Sequence, residues 1–155
     1  MRYATLTRFS LLLVVVMISI SSCKKSGTVP KSLLGTWNEP AFPSGFSRSV
    51  SFYSDGKFAA VFTAYPNPLS GGSSSTITTS YTGTFTVKGD SLLSNITTMA
   101  EQENTNTPVT SPSNQKLYEY ATFKVSGNTL MLKYTTYPAD APVATEAKFT
   151  RFLPD

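Results

Sequence analysis

Histidine is absent from this 155-residue chain, cysteine occurs once, and charged residues make up only 14% of it. Without histidine, the usual general base near neutral pH and the commonest metal ligand are both missing. A single cysteine excludes an intrachain disulfide and a thiolate cluster. The acids offer no substitute, because Asp55 and Asp90 belong to turn sequences, Glu101 and Glu103 sit in a polar stretch, and no pair has the setting of a catalytic dyad. These absences predict a protein that is not an enzyme and has no metal or cofactor. The formal charge of +4 is also misleading: residues 1–22 carry Arg2, Arg8 and no acid, so the remaining 133 residues hold 11 basic against nine acidic side chains, a balance of +2. Nothing there predicts a nucleic-acid partner. No apolar run is long enough to cross a bilayer, since the longest, Phe9 to Ile20, has 12 residues where about 20 are needed.

That short run has a context of its own. It follows the basic residues Arg2 and Arg8 and leads into Ser21-Ser22-Cys23-Lys24-Lys25, the order of an export signal with small residues before its cleavage point. Ile20-Ser21-Ser22-Cys23 resembles the lipobox of bacterial lipoproteins. The resemblance implies cleavage before Cys23, acylation of its thiol and a lipid anchor to a membrane, and two or more acyl chains give stable attachment. The alternative is an ordinary secretory peptide with an incidental cysteine. No Asp follows Cys23, and Lys24-Lys25 does not resemble an inner-membrane retention signal, so the expected location is the outer membrane, on a side left open. Residues 1–22 are thus expected to be a leader, 23–32 a tether containing Gly27 and Pro30, and 33–155 one domain.

Within that domain the hydropathy has a period of two. Phe46, Arg48, Val50 and Phe52 alternate with serines and Tyr53, while Ile77, Thr79, Tyr81, Gly83, Phe85 and Val87 alternate with hydroxylated residues. One apolar and one wet face is the pattern of antiparallel strands, and threonine, being β-branched, suits a strand even where it faces water. The expected class is all-β, with eight strands near 33–38, 46–54, 57–65, 76–87, 91–98, 116–125, 129–136 and 145–152. Asp55-Gly56, Lys88-Gly89-Asp90 and Ser126-Gly127-Asn128 mark tight hairpins. The stretches Phe85 to Leu92 and Phe123 to Leu130 echo each other at a spacing of 38 residues, through duplication or convergent hairpin chemistry.

If the strands run up and down, the three glycine turns share one end and the longer connections near 39–45, 66–75, 99–115 and 137–144 share the other. That describes a cup with a closed floor and a variable rim, and closing the sheet removes its edges. The stretch 99–115, nearly devoid of apolar residues, is expected to be a mobile rim loop. Leu34-Gly35-Thr36-Trp37, Phe52 to Phe58, the two echoing hairpins and Phe149-Thr150-Arg151-Phe152 together resemble, in order and spacing, the lipocalin-like domains of bacterial lipoproteins across residues 33–152. The resemblance implies a small up-and-down antiparallel barrel of eight strands, with Gly35 opening the first strand and Trp37 packed against Arg151 at the closed floor.

Two functions fit such a cup. One is binding of a small apolar or amphipathic molecule at inward residues Phe52, Phe62 and Tyr81, with Arg48, Glu119 and Tyr134 near the mouth and Arg48 paired with Glu119 or with a polar head. The other is an envelope scaffold or protein-interaction module whose barrel is filled by its own side chains. Register decides the lining, since a single bulge in 116–125 exchanges Glu119 for Tyr118 and Tyr120.

Overall fold

In the computed structural model, which describes residues 29–39, 45–66, 75–118, 120–136 and 141–153, the period-two segments are antiparallel strands. Residues 1–22, Cys23, the first part of the tether and Glu119 lie outside the described residues. The strands are β1 (Gly35–Asn38), β2 (Phe46–Phe52), β3 (Lys57–Ala64), β4 (Ile77–Lys88), β5 (Ser91–Glu103), β6 (Val109–Pro112), β7 (Ala121–Ser126), β8 (Thr129–Thr136) and β9 (Val143–Arg151). Neighbours in sequence pair from β1 to β5, β5 pairs β7, β7 to β9 pair in turn, and β9 returns to β1. The ring is a closed, eight-stranded antiparallel barrel, the lipocalin-like fold.

The ninth strand corrects the expectation of a mobile loop. β5 does not stop near residue 98 but runs on to Glu103, and after a turn at residues 104–106 β6 comes back along it, with Thr98 opposite Pro112 and Glu101 opposite Val109. The other edge of β5 carries β4 over its whole length, so β6 and β7 follow one another down the same side of β5. They are two pieces of one descending strand, broken at residues 113–120. The second piece begins at Ala121 rather than near 116 because Tyr118 and Tyr120 have left-handed backbone conformations, with φ of 53° and 52°, which a strand does not accommodate. A register shift between Thr82 and Gly83 also bends the β4–β5 hairpin. Gly83 is required there: a Cβ would lie 2.0 Å from the Asn95 carbonyl oxygen.

Alternation places every second side chain inside. Val50 and Phe52 on β2, Phe58 and Ala60 on β3, Leu130, Leu132 and Tyr134 on β8, and Ala147 and Phe149 on β9 are all buried. Phe52 meets a tilted Phe58 at 5.4 Å and Phe85 edge-on at 5.1 Å between ring centroids, so the lower barrel is a packed core rather than an empty cup. The glycine turns lie together at that end: Gly56 accepts from the Phe85 amide, Asp90 from Phe123, and Asn128 from Arg151.

The closed end is sealed by side chains because its strand pairing is sparse. β1 and β9 share only the Trp37–Arg151 and Asn38–Thr150 register pairs. The Arg151 guanidinium lies over Trp37, 4.1 Å from the ring centroid, and donates to the carbonyls of Leu34 at 2.7 Å and Ser32 at 2.6 Å. The indole N–H donates to the Leu33 carbonyl at 2.9 Å. Cation–π attraction and satisfied carbonyls thereby join the segment before β1 to the last strand. Gly35 makes the approach possible, because its φ is +113° and an added Cβ would stand 3.1 Å from the Arg151 guanidinium.

Candidate functional site

The opposite end is the mouth, where β2, β3 and β4 rise above the packed core. Their inward residues form rows set by register: Phe46 with Ala64 and Ile77, then Arg48 with Phe62 and Thr79. These six side chains and Glu39 are among the residues lining an open cavity of about 480 Å³. That volume falls within the range of small-molecule sites, which begins at roughly 300 Å³. The wall is mainly apolar, and Phe46 and Ile77 stand 56% and 38% exposed at the rim.

The charged groups of the wall meet at one place. Arg48 Nε and one terminal nitrogen donate to the two carboxylate oxygens of Glu39 at 2.5 and 2.8 Å, and its other terminal nitrogen donates to the Tyr134 hydroxyl at 3.2 Å. The Glu39 side chain is only 7% exposed, so the bidentate pair is largely withdrawn from water. Burial disfavours the charged guanidinium, but its hydrogen bonds to Glu39 and its attraction to Tyr134 and Glu39 outweigh that penalty and raise the Arg48 pKa above its ordinary value. The cluster is therefore a neutralised ion pair with N–H donors left over beyond its three contacts.

Below it stands Tyr118, delivered from the break between β6 and β7. Its ring meets Phe58 and Tyr134 edge-on, with centroids 6.3 and 4.9 Å away, and closes off the packed core. Its hydroxyl is buried without a hydrogen-bond partner, and desolvation holds its pKa above the usual tyrosine value.

The sequence-derived site residues are distributed unevenly around this cavity. Arg48 and Phe62 line it, and Tyr81 packs edge-on against Phe62 at 5.7 Å. Tyr134 reaches Arg48 from the far wall, whereas Phe52 lies in the core beneath. Arg48 pairs with Glu39, and its expected partner Glu119 lies outside the described residues. Glu39 was legible in principle, since it lies two residues beyond inward Trp37 and continues the same face. Of the two tyrosines that flank Glu119, Tyr118 is inside and Tyr120 is 74% exposed. Among the described residues, no cluster of three or more His, Cys, Asp or Glu side chains is placed to hold a metal ion.

No protein-family model and no curated protein matches this chain. The likeness is therefore one of fold, a closed eight-stranded lipocalin-like barrel, and function has to be argued from the mouth itself.

Proposed function

We propose that this protein is a lipid-anchored extracytoplasmic lipoprotein of the outer membrane, held through Cys23, which binds a small apolar or amphipathic molecule in the mouth cavity without transforming it. The observation that carries the binding part of this reading is a mainly apolar, open cavity of about 480 Å³ with the Arg48–Glu39–Tyr134 cluster on its wall, while the anchor rests on the lipobox resemblance of Ile20-Ser21-Ser22-Cys23. Because Glu39 already neutralises Arg48, the site favours an uncharged polar head such as an alcohol, ester or amide over a carboxylate. The head accepts from the spare guanidinium donors, and the apolar body lies along Phe46, Phe62 and Ile77.

Titration of the mature protein with a long-chain alcohol and the matching fatty acid tests the idea. The parent should prefer the alcohol, and Glu39→Gln, which leaves Arg48 uncompensated, should reverse the order. An unchanged preference removes Arg48 from the site.

The packed lower barrel favours a second reading, an envelope interaction module with a filled interior. In that case neither probe binds the parent, and loss of mouth residues weakens a protein contact instead.

A further inference from the structure

The two ends of the barrel both expose apolar side chains but differ in charge, and the chain enters at only one of them. Val29 and Leu34 pack against the core, and Arg151 holds the Ser32 and Leu34 carbonyls, so the tether arrives at the closed end. Around that end stand Tyr53, Phe152 and Leu153, which are 50%, 54% and 60% exposed. Tyr53 belongs to the β2–β3 turn, where its amide donates to the Lys57 carbonyl, and the Phe152 amide donates to the Thr36 carbonyl. Lys31, Lys57 and Lys88 are exposed at the same end. Lys57 is partly offset by Asp55 at 2.7 Å and Lys88 shares its turn with the exposed Asp90, so the basic excess of the described residues here is small and is joined in sequence by Lys24 and Lys25 of the tether. At the mouth, by contrast, the exposed charges at the tip of the β5–β6 hairpin are Glu101 and Glu103.

Chain length restricts the geometry. Val29 is six residues beyond Cys23, which allows a reach of about 20 Å even when fully extended. The 12-residue β4, tilted as barrel strands are, spans about 30 Å along the axis. A chain anchored at Cys23 and entering at the closed end is too short to bring the mouth of an upright barrel to the bilayer.

We propose that the closed end of the barrel docks on an anionic phospholipid surface, with Lys31 and Lys88 among the headgroups and Tyr53, Phe152 and Leu153 in the interfacial layer. This rests on the lipid-anchor reading above. The mouth then points away from the anchoring membrane, so ligand is exchanged with the aqueous compartment rather than drawn from the leaflet that holds the protein. With the tether lysines the closed end is the more basic of the two and the β5–β6 hairpin at the mouth is acidic, an asymmetry that favours docking of the closed end on a negative surface.

The test uses the acylated protein reconstituted into phosphatidylcholine vesicles with or without phosphatidylglycerol. Because acylation blocks the Cys23 thiol, a fluorophore can be placed on Ser54→Cys in the β2–β3 turn or on Asn106→Cys at the mouth, and a headgroup-level lipid quencher reads its proximity to the bilayer. The Ser54 label should be quenched strongly only in the anionic vesicles, and the Asn106 label in neither. Lys31→Ala and Lys88→Ala should each shift the docked balance about fivefold, and high salt should act in the same direction. Equal quenching of both labels, stronger quenching at Asn106, or quenching at Ser54 indifferent to phosphatidylglycerol and to the lysines overturns the docking. An intact mass showing unmodified Cys23 overturns the anchor reading and this proposal with it, whereas an acylated chain that fails the quenching test overturns the docking alone.

Discussion

Replacing Tyr118 with phenylalanine should make the protein more stable. The side chain is 4% exposed, and its hydroxyl has no partner although it lies among Arg48, Tyr134 and Glu39. A buried hydroxyl left unpaired costs about 1–3 kcal/mol, whereas removing it leaves the edge-on contacts with Phe58 and Tyr134 in place. The expected gain is about 1–2 kcal/mol, or roughly 4 °C in midpoint for each kcal/mol in a domain of this size. Thermal and urea unfolding of the mature domain followed by circular dichroism measure it. There is also a pH signature. The folded-state pKa of Tyr118 lies above the ordinary value of 10.0, so the folded chain retains a proton that the unfolded chain gives up. The associated stability is complete below pH 10 and declines as pH rises above it. The difference between parent and Tyr118→Phe should therefore widen in favour of the variant above pH 10. Destabilisation by 1 kcal/mol or more, on the order of a single lost hydrogen bond, would refute the reasoning and show that the hydroxyl is satisfied in solution.

Three further outcomes follow from other parts of the chain. Trp37→Ala should cost roughly 3–5 kcal/mol and Arg151→Ala about 1–3 kcal/mol, and because the guanidinium lies on the indole the double variant should lose less than their sum. Strict additivity in urea unfolding would show that the contact contributes no coupling. Gly83→Ala should destabilise by about 3 kcal/mol, because its Cβ meets the Asn95 carbonyl at 2.0 Å, and a neutral result would place the β4–β5 irregularity elsewhere. Cys23→Ser should abolish incorporation of labelled lipid and release a folded domain from membranes, while continued labelling would move the anchor to another residue.

The barrel was legible because most of its strands have one wet and one dry face, and burial writes a period of two into the sequence. Tight turns such as Ser126-Gly127-Asn128 and the alternating lengths of the connections then set which end is closed. Beyond residue 98 that signal fails. The upper part of β5 carries Glu101 and Glu103, both exposed, and β6 is a four-residue strand with Val109 74% exposed, so backbone pairing rather than burial holds them. Composition alone reads such a segment as a loop. The mouth was partly legible for a similar reason. Parity brought Arg48, Phe62 and Tyr81 to the inner wall, and the same parity extended past Trp37 would have reached Glu39. Tyr118 was reached only through the alternative of a bulge in 116–125, because a left-handed residue breaks the strict alternation that parity assumes.

Native mass spectrometry of the protein purified from its own envelope, compared with an Ala64→Trp variant whose indole fills the mouth, tests the binding function most directly. Ala64 lines the cavity between Phe46 and Ile77, away from the packed core. The binding account predicts that the parent retains an uncharged amphipathic molecule and that the variant folds equally well but retains none. A parent that carries no molecule, or a variant that carries the same one, would contradict it.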